Sequence, residues 1–444
     1  MKSTLDQNYP EENVPKKIKW IIFLIGLAGN IAWAVENQFY NVYMYNKISP
    51  TPIYISIMVA ASAITAGLTA IFMGAFSDIK GKRKPFMLMG FIFWGITTAI
   101  YPLAGIFQPV ILAITIAIVF DCVMTYFGST AFDAVFNGYF TDITTEKNRG
   151  KALGVLQMTM LLSTLVIYGI SGFIIEGFEA TIGFGYEIFF MIMGGFSILG
   201  VIGAYLSKEP EGLQPSGMSL KQHIKKLFSK DMIKNNKDCF LILTGMLIWA
   251  TAFYIFFPFV LVYLQHYLGL DLSTSSIIVF IGFIICIALA YPLGIYLDKI
   301  GRKKITIICV IGDGLSLFLF IISANFFLLV VAAVLMQFFM TGWNMAANAW
   351  MRDLFPASQT GEFSGYYTLF AATIPMVIGS PIGGILSSIS GQTILIDGIP
   401  GYVPTPLIFI VAAFIMIPAI IPLLFAKETK GQLLSKSAAL KKPI

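Results

Sequence analysis

Residues Gly74 to Lys84 read GAFSDIKGKRK, and residues Gly294 to Lys304 read GIYLDKIGRKK. Both stretches follow the pattern Gly-x-x-x-Asp-x-x-Gly-basic-basic-Lys, and they lie 220 positions apart (294 minus 74). Each stretch follows one long apolar run and precedes another. Two basic turns at matching places, each joining two apolar runs, predict a chain made of two similar halves.

The composition predicts an integral membrane protein. The chain has 444 residues, of which 57% are hydrophobic and only 12% are charged, and its mean hydropathy is +0.82. About 20 apolar helical residues cross a bilayer. We therefore expect an all-α fold with twelve transmembrane helices, over about residues 19–45, 52–77, 85–104, 109–139, 150–174, 186–207, 238–266, 273–298, 304–323, 326–353, 363–388 and 405–426.

The positions of the basic residues predict the orientation of the chain. With these spans, all of the 29 Lys and Arg residues except Lys47 fall in the two tails and in alternate loops. Loops rich in Lys and Arg stay in the cytoplasm. Both termini are thus expected to be cytoplasmic in a multi-pass protein of the cell membrane. The orientation of the chain in the membrane therefore explains the net charge of +6, and the charge gives no reason to expect a nucleic-acid partner.

The spans divide the chain into five parts. We expect an N-terminal tail (1–18), a six-helix bundle (19–207), a linker (208–237), a second six-helix bundle (238–426) and a C-terminal tail (427–444). In the linker, Leu220, Ile224 and Leu227 recur at helical spacing with lysines between them. This pattern indicates a basic amphipathic helix, which either lies on the cytoplasmic membrane face or is a solvated linker helix.

A second pair of matching positions accompanies the basic turns. Asp142 with Gly150 and Asp353 with Gly361 lie 211 positions apart, each pair after the fourth helix of its half. The whole chain resembles the major facilitator superfamily, whose loop between helices 2 and 3 carries this basic motif. The resemblance implies two six-helix bundles that alternate access to a central site, with the motif as a cytoplasmic latch. Arg83 and Arg302 are expected to bridge to acids on neighbouring loops, such as Asp142 and Asp353. The alternative is that these loops only set the topology. The predicted gating residues are Gly74, Asp78, Gly81, Arg83, Asp142, Arg149, Gly294, Asp298, Gly301, Arg302 and Asp353.

A narrower resemblance lies in the fourth helix. Phe132 to Asn137, followed by Tyr139 to Thr144, is similar to the helix 4 segment of the glycoside–pentoside–hexuronide:cation symporters. The resemblance implies that Asp133 helps to bind a coupling cation and a sugar. Helix 2 of this chain has no acidic residue, however, and helix 11 has no lysine. These departures argue against a sodium site of that family's type.

Four acids fall at bilayer depth, where charges are costly and usually functional. They are Glu36, Asp121, Asp133 and Asp313, and no Lys or Arg falls at the same depth. A carboxyl without a cationic partner in low dielectric favours its protonated form. We expect Glu36 and Asp133 to carry coupling protons, with sodium as the alternative ion, although either acid could instead be a structural carboxyl. Asp121 and Asp133, twelve residues apart, are not expected to share an ion, and Asp121 and Asp313 receive no role.

Helix 10 carries a polar stripe. Gln337, Thr341, Asn344 and Asn348 follow the spacing i, i+4, i+7 and i+11, and Trp343 stands beside them. Amides that bond hydroxyls and indoles that stack on sugar rings suit a neutral polyhydroxyl ligand, whereas the alternative is hydrogen bonding between helices. The predicted substrate-binding residues are Trp33, Asn37, Tyr40, Asn137, Gln337, Trp343, Asn344 and Asn348.

These patterns predict a secondary active transporter that imports or exports a small organic solute by alternating access. A sugar or glycoside is the favoured substrate, and a proton is the favoured coupling ion. The alternatives are a proton-driven exporter of amphiphilic compounds and a sensor of the same fold that does not transport. We expect a functional monomer with no cofactor or metal. No nucleophile elbow, phosphate loop or metal-ligand motif occurs in the sequence, so enzyme activity is not expected.

Overall fold

The computed structural model describes residues 14–145, 148–210, 236–323, 325–354 and 366–428, with the backbone alone at residues 290, 291, 293–299 and 352. Within these residues twelve helices are long and apolar enough to cross a membrane, which confirms the predicted number. They are α1 (Lys16–Ile48), α2 (Pro52–Lys80), α3 (Lys84–Ile106), α4 (Val110–Ile143), α5 (Arg149–Ile182), α6 (Gly185–Leu206), α7 (Lys237–His266), α8 (Leu272–Ile300), α9 (Arg302–Ile322), α10 (Phe326–Asp353), α11 (Tyr366–Ser390) and α12 (Leu407–Phe425).

Most of the predicted helix ends agree with the structure to within a few residues. The fifth helix was predicted too short, over 150–174, whereas α5 continues to Ile182. No residue before Gly183 breaks the helix, and Gly183 ends it with a left-handed backbone (φ 73°) of the kind that closes many helices. The predicted amphipathic helix of the linker and the position of Gly361 lie outside the described residues.

The residues group into two compact units. The first contains α1 to α6, together with Asp271–Ser276 and Ile394–Gly401, and the second contains α7, most of α8, and α9 to α12. In the first unit α3 packs on α6, and α1 packs on both α5 and α6. In the second, α9 packs on α10, and α7 packs on α11 and α12. Each unit is thus a six-helix bundle.

Small residues bring the helices of each unit close together. In the first unit, a Cβ atom at Gly194 of α6 would collide with the backbone oxygen of Gly95 of α3. In the second, a Cβ atom at Gly383 of α11 would collide with the backbone oxygen of Ile255 of α7. Close backbone approach at glycine is a common way to pack helices in lipid, where dispersion contacts replace the hydrophobic effect.

Several helices contain segments that leave regular α geometry. Segments of π-helix occupy Glu36–Tyr40 and Met44–Ile48 of α1, Ser129–Phe136 of α4 and Leu369–Thr373 of α11. A π-helical segment inside an α-helix frequently marks a functional site. Two of the acids that the sequence singles out, Glu36 and Asp133, lie in these segments.

A β-hairpin between α11 and α12 was not expected from the sequence. Its strands are β1 (Gln392–Ile396) and β2 (Ile399–Val403). Asp397 and Gly398 join them, and both have positive φ values (50° and 80°). Two positive φ values in a two-residue loop define a type I′ turn, for which Asp-Gly is a favoured pair. The Asp-Gly dipeptide between two apolar stretches is the sequence pattern that predicts this hairpin.

Candidate functional site

The candidate site of the first unit is a buried cluster of acids and hydroxyls from α1, α2 and α4. Glu36, the first residue of a π-helical segment, is 7% exposed. Its Oε1 atom accepts hydrogen bonds from Ser62 Oγ at 2.6 Å and Thr125 Oγ1 at 3.3 Å, and the two hydroxyl oxygens lie 2.8 Å apart. The side chain of Glu36 is thus held by one residue of α2 and one of α4.

Asp121 completes this group, which we call the acid cluster (Glu36, Ser62, Asp121 and Thr125). Asp121 lies four residues before Thr125 on α4 and is 2% exposed. Its carboxyl lies within hydrogen-bonding range of Glu36 and Ser62. One of its oxygens, Oδ1, has no hydrogen-bond partner among the described residues. From the sequence we assigned Asp121 no role, although Asp121, Thr125, Ser129 and Asp133 recur at every fourth position.

Asp133 lies beside the acid cluster. It accepts a hydrogen bond from Ser129 Oγ at 2.9 Å, and it lies within hydrogen-bonding range of the Trp33 indole. It is also close enough to Glu36 for the two carboxyls to interact electrostatically. Residues in a π-helix turn less per position than in an α-helix, because the hydrogen bond spans five residues rather than four. The π-helical segment Ser129–Phe136 therefore turns Asp133 further toward the face of Asp121 than the sequence spacing predicts.

The other predicted binding residues of the first unit are mostly held by the helices themselves. Asn37 Nδ2 donates to the backbone oxygen of Trp33 at 2.7 Å, and Asn137 Nδ2 donates to that of Asp133 at 2.8 Å. Tyr40 is fully buried, and its ring is stacked on Tyr101 with the centroids 3.6 Å apart. Asn137 is the exposed member of this set.

The acid of the second unit has a different environment. Asp313 of α9 is 2% exposed, and its Oδ2 atom accepts a hydrogen bond from Trp249 Nε1 of α7 at 3.0 Å. Trp249 in turn stacks on Trp343 of α10, with the ring centroids 5.1 Å apart and the planes 24° from parallel. Trp343 is 1% exposed, so one face of its indole packs on another indole within the protein.

The amide stripe of α10 runs from a buried end to an open one. Gln337 is 4% exposed, and its Oε1 has no hydrogen-bond partner among the described residues. Asn344 is exposed and Asn348 is half-buried, with Asn348 Nδ2 donating to the backbone oxygen of Asn344 at 2.7 Å. The side chain of Asn344 is therefore the amide of this stripe that is most open to a ligand.

The basic turn of the first unit is held by ion pairs. Arg83, which is 5% exposed, pairs with Asp78 at 2.7 Å and with Asp142 at 3.0 Å. It also donates to Ser77 Oγ at 3.0 Å. Gly81 begins the turn with a left-handed backbone (φ 61°). The predicted pairing of Arg83 with Asp142 is therefore present, and it joins the α2–α3 turn to the end of α4 within one bundle.

The remaining gating candidates of the first unit lie near this turn. Arg149 Nε donates to Thr144 Oγ1 at 3.3 Å, at the junction of α4 and α5. A Cβ atom at Gly74 would lie 3.9 Å from Ala134 Cβ of α4, so this glycine faces α4 without a steric requirement for its small size.

The second unit repeats this arrangement. Arg302 pairs with Asp353 at 2.7 Å, as predicted, and Gly301 has a φ of 102°. Lys303 Nζ donates to the backbone oxygens of Leu424 and Ala426 at the end of α12 (2.7 and 2.9 Å). In the first unit, Lys84 Nζ likewise donates to the backbone oxygens of Tyr205 and Ser207 at the end of α6 (2.6 and 3.1 Å). Gly294 and Asp298 lie in α8, where the structure describes the backbone alone.

Two bundles of six membrane helices, with the same basic turn in each, define a major facilitator transporter. The model of the Major Facilitator Superfamily matches residues 21–290 and 242–444, and the chain belongs to that superfamily. Multidrug resistance protein 2 of Bacillus subtilis (strain 168) is 22% identical over 343 residues, which cover 74% of this chain and 78% of that protein.

Solved transporter structures share the fold. A crystal structure of a D-xylose-proton symporter has a TM-score of 0.71 and 15% identity, and it covers 92% of this chain and 97% of its own. A crystal structure of the nucleoside transporter NupG has a TM-score of 0.69 and 13% identity, with 92% and 98% covered. The xylose transporter XylE from E. coli, in an inward open conformation, has a TM-score of 0.68 and 16% identity, with 95% and 99% covered. At these identities the likeness establishes the fold.

Proposed function

We propose that this chain is a proton-coupled secondary active transporter of a sugar or glycoside that works by alternating access. The acid cluster is the observation that carries the coupling. Among the described residues no Lys or Arg contacts Glu36, Asp121 or Asp133, so no fixed cation neutralises these carboxyls. Carboxyls at membrane depth without a cationic partner are suited to binding a proton on one side and releasing it on the other.

The substrate class has independent support from the second unit and from the fold. The exposed Asn344 and half-buried Asn348 offer amide groups that suit the hydroxyls of a neutral solute. Two of the similar folds are those of a D-xylose-proton symporter and a nucleoside transporter, which both handle substrates with a pentose ring. Under this proposal Asn344 and Asn348 bind the substrate. The other residues predicted to bind it stay predictions, and they are Trp33, Asn37, Tyr40, Asn137, Gln337 and Trp343.

The test is uptake into proteoliposomes that contain the purified protein. Labelled D-xylose, a nucleoside such as uridine, and a panel of other sugars and glycosides are offered with an imposed proton gradient, a sodium gradient or none. The proposal predicts accumulation of a sugar or glycoside under the proton gradient and its loss when a protonophore is added. Equal uptake with and without the proton gradient would contradict proton coupling. Accumulation driven by sodium alone would show that sodium is the coupling ion.

A second candidate is export of amphiphilic compounds. The relative from Bacillus subtilis, a multidrug resistance protein, is the observation that favours it. Efflux of a fluorescent cationic dye such as ethidium, measured in the same proteoliposomes, separates the two candidates. Gradient-driven dye efflux without uptake of any sugar would establish the exporter. Binding of a ligand with no flux would favour the sensor.

The membrane arrangement is also part of the proposal. We place the protein in the cell membrane as a monomer with both termini in the cytoplasm, because basic residues are concentrated in the tails and alternate loops. The basic turns around Arg83 and Arg302, with Asp142 and Asp353, then face the cytoplasm. Labelling of single cysteines introduced at Lys47 and at Lys82 in intact cells tests this directly. A membrane-impermeant reagent is expected to label the first position alone.

A further inference from the structure

The acid cluster contains two carboxyls that face each other in the interior of the first unit. Glu36 of α1 is 7% exposed and Asp121 of α4 is 2% exposed, and the two groups lie within hydrogen-bonding range. Ser62 of α2 contacts both of them. We call Glu36 and Asp121 the carboxyl pair.

We propose that Glu36 and Asp121 share one proton between their carboxyl groups, and that this shared proton is the one that drives transport. Its role in transport rests on the function proposed above. The sharing of the proton rests on the geometry of the pair alone.

One carboxyl oxygen of the pair lacks a hydrogen-bond donor. Ser62 and Thr125 both donate to Glu36 Oε1, whereas Asp121 Oδ1 is buried without any donor among the described residues. A carboxylate only accepts hydrogen bonds, but a protonated carboxyl can also donate one. A proton held between the two groups supplies the missing donor from within the pair.

Electrostatics leads to the same result. Two carboxylates in contact cannot both be charged in a low-dielectric site, so such a pair takes up a proton that the two groups hold in common. A third acid, Asp133, also interacts electrostatically with Glu36. Among the residues that the structure describes, the other titratable groups that interact with the pair are Tyr40, Tyr101 and Cys122, which are neutral in their usual protonation state at neutral pH.

The spacing of the oxygens favours a proton over a metal cation. Ser62 Oγ lies 2.6 Å from Glu36 Oε1 and 2.8 Å from Thr125 Oγ1, which are hydrogen-bond distances. Oxygens at right angles around a cation, each bound at roughly 2.4 Å, lie about 3.4 Å from one another. A cation could use these three oxygens together only after they had moved apart.

The test is an infrared titration of the purified, full-length protein, which needs no substrate. The absorption of protonated carboxyls is followed from acid to alkaline pH for the wild type, Glu36→Gln, Asp121→Asn and the double variant. A pair that shares a proton titrates in two separated steps. Each single variant is expected to lose the upper step and to show one step for the surviving acid, at least about one pH unit below that upper midpoint, because the neighbouring group no longer carries a charge and interacting acids are split by at least that much. The double variant is expected to lose the signal of the pair.

The matched control is Asp313→Asn, which removes an equally buried acid from the second unit and must leave both steps of the pair in place. An upper step that keeps its wild-type midpoint in either folded single variant would overturn the proposal, since that acid would then titrate independently of its neighbour. A shift of the wild-type steps when sodium chloride replaces choline chloride, lost in the variants, would also overturn it in favour of a cation site. The two single variants are read together, and Glu36→Ala or Asp121→Ala replaces an amide variant that misfolds, so the test stays intact.

The result is separable from the proposed function. Loss of the upper step in both single variants of a protein that transports no substrate would contradict the function and leave the shared proton standing. Proton-driven uptake by a protein whose acids titrate independently would contradict the shared proton and leave the function standing.

Discussion

The two units have matching ends and different interiors. At the basic turns, Arg83 pairs with Asp142 in the first unit and Arg302 pairs with Asp353 in the second. In the last third of α4 and α10, an offset of 211 positions aligns Asp133 with Asn344 and Asn137 with Asn348 (344 minus 133, and 348 minus 137). Asn137 and Asn348 each donate a hydrogen bond from the side-chain amide to the backbone oxygen four residues earlier, at 2.8 and 2.7 Å.

The chemistry differs where the geometry is shared. The positions that match Glu36 and Asp121 in the second unit hold Phe256 (offset 220) and Ala332 (offset 211), both buried. The first unit therefore concentrates carboxyls at mid-depth, whereas the second offers amides and stacked indoles. We propose that the two units have divided their roles, with proton binding in the first unit and the main recognition of a neutral solute in the second.

Loss of the carboxyl at position 36 is expected to have the largest effect. Glu36→Gln keeps the size of the side chain but cannot ionise. We predict that substrate accumulation under a proton gradient falls by at least about tenfold, the change that roughly 1.4 kcal/mol produces. Exchange of labelled for unlabelled substrate is expected to continue. The control is Glu179→Gln, which removes a more exposed acid at the end of α5 that pairs with Lys47. Full accumulation by Glu36→Gln would break the assignment of proton binding to the first unit.

The matching ends are expected to respond alike. Arg83→Ala removes a buried guanidinium that pairs with Asp78 and Asp142, and Arg302→Ala removes the partner of Asp353. Because the carboxylates keep some contact with solvent, we predict a loss of stability of about 1–3 kcal/mol for each variant, measured by thermal unfolding in detergent. The exposed Lys82→Ala serves as the control and should unfold like the wild type. An effect confined to one of the two arginines would show that the turns are not equivalent.

The amide of the second unit is expected to affect affinity without affecting coupling. Asn344→Ala removes an exposed amide from the stripe of α10. A lost hydrogen bond of about 1–1.5 kcal/mol raises the KM for uptake by roughly five- to tenfold. The ratio of uptake with a proton gradient to uptake without one should stay at the wild-type value. A change in that ratio at unchanged KM would show that Asn344, and therefore the second unit, takes part in coupling.

The smallest effect is expected at the isolated acid of the second unit. Trp249→Phe keeps an aromatic ring against Trp343 but removes the N–H group that donates to Asp313. The stability should fall by about 1 kcal/mol, because the buried carboxyl loses one neutral hydrogen-bond donor. The loss is measured by comparing the unfolding of the wild type, Trp249→Phe and the double variant Trp249→Phe/Asp313→Asn. The substitution of Asp313 should recover part of the lost stability. No recovery would show that the hydrogen bond contributes little.

The number of helices and the division into two bundles could be predicted because long apolar runs and basic loops are properties of local sequence. The pairs Arg83–Asp142 and Arg302–Asp353 could be predicted because they lie in repeated motifs. The hairpin at β1 and β2 was missed although its Asp-Gly turn is a local signal.

The composition of the acid cluster could not be predicted in the same way. Glu36 and Asp121 belong to different helices, and their contact depends on how α1 and α4 pack. The displacement of Asp133 toward the cluster depends on the π-helical segment of α4, which no residue type in the sequence specifies. The stacking of Trp343 on Trp249 likewise joins α10 to α7, so the burial of that indole could not be read from the α10 stripe alone.

The most direct test of the division of labour is a measurement of proton flux during substrate uptake. A pH-sensitive dye is trapped inside proteoliposomes that contain the wild type, Glu36→Gln or Asp313→Asn, and substrate is added outside without an imposed gradient. We predict substrate-dependent acidification of the lumen for the wild type and for Asp313→Asn, and none for Glu36→Gln. Acidification that persists in Glu36→Gln, or that is lost only in Asp313→Asn, would contradict proton binding in the first unit.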